Sequence, residues 1–147
     1  LYLANAFGNN VLLRNRGDGT FEDLSEASGT SDFATSMAVA AGDLNNDGRS
    51  ELYVANMYSK MGRRIIAHVS AGDYPAGIFQ QIQGSCAGNR LYSHRAAGVY
   101  HESSDEAGVN AVGWAYAPAM ADLDSDGWLD LYATTGFISF DRHKPDG

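Results

Sequence analysis

Short apolar runs alternate with polar, glycine-rich turns along most of this chain. Leu1–Asn5 (LYLAN), Asn10–Asn15 (NVLLRN), Phe21–Leu24 (FEDL) and Leu52–Asn56 (LYVAN) are of strand length and bounded by turn residues. Ser36–Ala41 (SMAVAA) has a helix-compatible composition. It runs at once into Gly42 and Asp43, so a strand is predicted there too. Arg16–Thr20 contains the Asp18-Gly19 pair of a tight hairpin. Ser25–Gly29 is too short for a stable helix and is predicted to be a turn. The pattern as a whole predicts an all-β fold.

The pattern repeats. Asn10–Asn56 aligns without a gap onto Asn89–Thr135: Val99–Glu102 falls on Thr20–Asp23, and Ala117–Met120 leads into the same kind of turn as Ser36–Ala41. Ala97-Gly98 stands where the first copy has Asp18-Gly19. Such a long register marks an internal repeat. The predicted organisation is the end of a preceding unit and a link over 1–9, a first repeat over 10–56, an insertion over 57–88, a second repeat over 89–135, and the start of a further connection over 136–147. Leu1–Asn5 has the same pattern as Leu52–Asn56, without the turn that precedes that strand in both copies, so the chain is expected to begin in mid-repeat. The 57–88 segment has no counterpart after Asn5. It is either an extended surface loop or a cover for a neighbouring subunit or domain.

Each repeat carries one acidic turn. Asp122, Asp124, Asp126 and Asp130 occupy positions 1, 3, 5 and 9 of one; Asp43, Asn45, Asp47 and Glu51 occupy the same positions of the other. Carboxylates and amide oxygens are hard ligands, and calcium takes six to eight of them. The spacing lets one tight turn wrap one ion, with the main-chain carbonyl at position 7, Arg49 or Trp128, as a further ligand. An EF-hand starts alike but needs Glu at position 12 and flanking helices. Position 12 is Val54 in one copy and Ala133 in the other, and β-forming residues follow. Two calcium-binding turns between strands are therefore expected, the second with more carboxylates.

Composition narrows the class. The net charge is -8, and seven of the carboxylates lie in the two turns. An acidic surface argues against nucleic acid or an anionic membrane as partner. No apolar run approaches membrane-spanning length, so direct membrane insertion is not expected. Cys86 is the single cysteine, which rules out an intrachain disulfide and leaves a buried small residue, a free thiol or an interchain link. His68, His94, His101 and His143 show no metal or triad spacing, and no catalytic residue is assigned.

These residues resemble the FG-GAP/VCBS repeats of integrin-alpha-like β-propellers, nearest to the type that accompanies an ASPIC/UnbV module. The likeness rests on Asn10, Leu12, Asn15 and Gly17–Phe21, on Gly42–Asn56, and on Asn89–Tyr92 with Asp122–Tyr132. It implies a propeller in which each repeat forms one four-stranded blade and the calcium turn joins two strands of it. Two repeats do not close a ring, so flanking blades or other protein chains are implied as partners. Leu12, Phe21, Leu52, Leu91, Tyr100 and Leu131 are the expected core. The Arg16–Asp18 triplet is explained by the family's hairpin without an adhesion role.

The expected function is a non-enzymatic, calcium-binding structural or protein-interaction module of an extracellular, periplasmic or cell-surface protein. The alternative is part of a propeller enzyme whose active site draws on the insertion, with Arg63, Arg64, His68 and Asp73, or on further blades.

Overall fold

The structure is a computed structural model, and it describes residues 1–136. The connection expected over 136–147, and His143 within it, lie outside the described residues except for Gly136. Among the described residues, ten strands form three antiparallel sheets. The first joins β1 (Tyr2–Leu3), β3 (Val11–Asn15) and β4 (Phe21–Asp23). The second is ordered β2 (Ala6–Asn9), β5 (Phe33–Gly42), β6 (Glu51–Asn56), β7 (Arg90–Ala96), β8 (Val99–Glu102). The third is the hairpin of β9 (Ala115–Ala121) and β10 (Asp130–Thr135).

The sheets stack face to face on the middle one. β6 is buried at every position, which explains its unbroken Leu52–Ala55 apolar run. Leu52, Val54 and Tyr92 form the core, and Tyr2 of β1 and Ala4 just after it pack on it with Val39 and Tyr100. On the other side the β9–β10 hairpin comes so close to β5 that a Cβ on Gly42 would lie 2.8 Å from Leu129 and 2.9 Å from the Met120 sulfur. These sheets are blades of a β-propeller, and the middle one holds the four consecutive strands β5–β8 with β2 added at its β5 edge.

The blade differs in phase from the repeat. The first repeat is divided: β3 and β4 pair with β1, whereas β5 and β6 pair with β7 and β8 of the second repeat. A periodic sequence fixes the period of a structure but not where one packed unit ends. Here the unit ends at the crossover after β4, which carries the chain to the next sheet.

Four further expectations are corrected. Phe21 is 51% exposed on β4, which lies at the edge of its sheet. Leu12, Tyr100 and Leu131 are only half-buried, while Leu52 and Leu91 are buried. Ser25–Ser28 (α1) is a single helical turn, ended by Gly29 in the left-handed region at φ 77°. The insertion is not an extended loop. It holds α2 (Lys60–Ile66), a 3-10 turn (Ala71–Asp73) and α3 (Ile78–Cys86). Each helix is too short to persist alone, so packing holds them. A Cβ on Gly84 would overlap the Phe33 carbonyl of β5, and one on Gly62 would lie 2.6 Å from the Cys86 sulfur. That contact makes Cys86 a packing residue between α2 and α3, and burial pushes its thiol pKa up.

Candidate metal centre

The two acidic turns connect β5 to β6 and β9 to β10. Their main-chain hydrogen bonds are the same, bond for bond. In the first, the Asp47 N–H donates to Asp43 Oδ1 and Asn45 Oδ1, both at 3.0 Å. The Gly48 N–H donates to Asp43 Oδ2 at 2.7 Å, and the Arg49 N–H to Asp47 Oδ1 at 2.9 Å. The Leu44 N–H donates to Glu51 Oε2 at 2.8 Å. In the second, Asp126 donates to Asp122 and Asp124, Gly127 to Asp122, Trp128 to Asp126, and Leu123 to Asp130. Both turns need two left-handed residues, Asn46 and Gly48 in one, Ser125 and Gly127 in the other. The glycine adopts that conformation without strain.

This wiring folds the position 1 and 3 side chains and the position 9 acid over one short loop. In the second turn, oxygens of Asp122, Asp124 and Asp130 lie within 4.8 Å of one another. Asp126 falls outside that group, its Oδ1 accepting from Trp128. In the first turn Glu51 is 2% exposed, and its Oε1 is buried without a hydrogen-bond partner. A buried carboxylate oxygen left unpaired costs free energy that a cation ligand would offset. The donor set is all oxygen, which fits a hard cation of the calcium class. The turns also touch: the Asn46 amide donates to the Gly127 carbonyl at 3.3 Å.

Two models of known families match the chain, an FG-GAP-like repeat over residues 1–54 and an FG-GAP repeat over residues 36–77. Residues 1–77 are FG-GAP repeat sequence. The second copy, 89–135, lies beyond both matches and is tied to the first by its identical turn geometry. No curated protein matches the chain.

The other candidates do not converge on one site. Asp73 caps the 3-10 turn, accepting from the Ser70 N–H and hydroxyl, which hold its pKa below the usual carboxylate range. Arg63 lies over the Tyr58 ring, and Arg64 and His68 are exposed. In the Arg16–Asp18 triplet, Asp18 accepts from the Thr20 hydroxyl and N–H, and its pKa is lowered by them.

One further set of residues recurs in the sequence at matching places. In the two LYxAN strands the asparagines mark a clamp, buried at Asn56 and part-buried at Asn5. Asn5 N–H donates to Asn10 Oδ1, and Asn56 N–H to Asn89 Oδ1, each at 2.8 Å. The tyrosines of the same strands, Tyr2 and Tyr53, donate to the carbonyls of Thr30 and Val109.

Proposed function

We propose that this chain is a calcium-stabilised propeller segment acting as a non-enzymatic structural or protein-interaction module, outside the cytoplasm, in a protein of the ASPIC/UnbV-associated type. The single observation that carries the calcium reading is the buried, unpartnered Oε1 of Glu51 above a turn whose wiring recurs in the second copy. Asp43, Asn45, Asp47 and Glu51, with the Arg49 carbonyl, would hold one ion. Asp122, Asp124, Asp126 and Asp130, with the Trp128 carbonyl, would hold another. Bound calcium supplies positive charge that neutralises each crowded turn. The chain's own residues do the rest: main-chain N–H groups orient the carboxylates, and the strands on either side fix the spacing.

The partners in this reading are flanking blades or other chains. Large apolar side chains stay exposed on both outer sheets, among them Leu3 and Phe21 on the first and Tyr116 and Tyr132 on the third. Surfaces of this kind are covered in a closed propeller. Equilibrium dialysis against calcium, followed by elemental counting, tests the metal assignment. Two ions per chain are expected, and one after Asp122→Asn with Asp124→Asn. A wild-type chain that retains no calcium removes the reading.

A further inference from the structure

The insertion is basic on an acidic molecule. Residues 57–88 hold Lys60, Arg63 and Arg64 against a single carboxylate, Asp73, within a chain of net charge -8. Asp73 is committed to capping Ser70. Among the described residues none of the three cations joins an ion pair, although Arg14, Arg16 and Arg90 each do. Cations kept apart from so many acids of their own chain remain available to acids of another.

The same helix presents apolar groups outward. At 3.6 residues per turn, Lys60, Met61, Arg64 and Ile65 share one side of α2. All four are exposed, Met61 at 71% and Ile65 at 58%. The opposite side faces the protein: Gly62 meets Ser59 and Cys86, while Arg63 and Ile66 line a cleft of about 310 Å³ with Gln83 and Arg90. The helix thus turns two large side chains to solvent while its glycine makes the internal contact. Because α3 is seated on β5 through Gly84, this face is carried on a fixed support and loses little freedom when something binds.

We propose that the outward face of α2 docks an acidic polypeptide segment that carries apolar side chains. Met61 and Ile65 supply the desolvated contact, and Lys60 and Arg64 at its rim supply attraction and orientation. An anionic lipid surface offers the same chemistry to these four side chains. It would also bring the strongly acidic remainder of the chain against a negative plane, whereas a peptide would not, so the polypeptide is favoured.

Fluorescence anisotropy of the whole chain with a labelled, short synthetic peptide tests this. The peptide has leucines at helical spacing among glutamates. Its counterparts have alanine for leucine, or lysine for glutamate, and phosphatidylcholine–phosphatidylserine vesicles form a separate arm. The acidic leucine peptide is expected to bind best and to weaken as salt rises. Lys60→Glu with Arg64→Glu, and Met61→Ser with Ile65→Ser, should each weaken it by about tenfold or more. Arg95→Glu on β7 should leave it unchanged, with all variants matching the wild type by circular dichroism. Equal binding of the acidic and lysine peptides, no binding of either, or binding unmoved by both double variants overturns the proposal. Binding to the vesicles alone assigns the face to lipid and overturns it as well.

Discussion

The Asn56 N–H meets the Asn89 side-chain oxygen at 2.8 Å across an insertion of helices, as Asn5 meets Asn10 across one short strand. Asn56 returns a second bond from its own amide to the Gly88 carbonyl at 2.9 Å. The pair therefore fixes where the chain leaves the blade after β6 and where it re-enters at β7, whatever lies between. Asn56 and Asn89 are both fully buried. Asn89→Ala strands a buried N–H, which costs about 1–3 kcal/mol. Urea unfolding of Asn89→Ala and Asn10→Ala should show losses of that order. A loss below about 0.5 kcal/mol at both positions, the range of ordinary surface changes, would dismiss the clamp.

The insertion depends on one close approach. Gly84→Val would drive a side chain into the Phe33 carbonyl and force α3 off β5. Limited proteolysis is expected to cut the variant within 57–88 sooner than the wild type, with a stability loss of about 1–3 kcal/mol. Cleavage at an unchanged rate would show that α3 does not rest on β5 as described.

Two groups give pH dependence of opposite sign. Burial pushes the Tyr53 hydroxyl up to about 12, with the Asn89 side chain pulling it back. Its stabilising share is complete below the ordinary tyrosine value of about 10 and is lost as pH rises through the folded value. Burial raises Tyr92 and Tyr2 as well, so Tyr53→Phe should flatten the alkaline decline in part. For Asp23 the Ser25 hydroxyl and N–H hold the pKa low. Its share is present above about 3.9 and is lost as pH falls through the lowered value. Ser25→Ala should reduce that acid-side loss without abolishing it, because the main-chain N–H still donates to Asp23. Stability profiles identical to wild type at both extremes would contradict both assignments.

Much of the blade could be read from the chain because each signal is local. The LYxAN runs, the Asp-Gly hairpin and the spaced acids all act within a few residues, so turn chemistry and strand pattern reveal them. The turn residues Asp43 and Asp122 could be matched for the same reason. Blade phase could not, since it depends on which strand pairs with β6, and β7 lies far along the chain. The helices of 57–88 escaped because their stability lies in the contacts of Gly62 and Gly84 rather than in periodicity. Phe21 was misplaced because an apolar residue opposite Asn15 in a hairpin is buried only if another layer covers it. The orphan oxygen of Glu51 is likewise a tertiary fact: sequence marks a ligand position but not its burial.

Thermal unfolding of the wild type and of Glu51→Gln, each with calcium and with a chelator, tests the calcium claim most directly. The wild type should gain about 2.7 kcal/mol per site when free calcium stands a hundredfold above its dissociation constant. Glu51→Gln should lose the gain of the first turn and keep that of the second. A wild type that melts at the same temperature in calcium and in chelator would contradict the account.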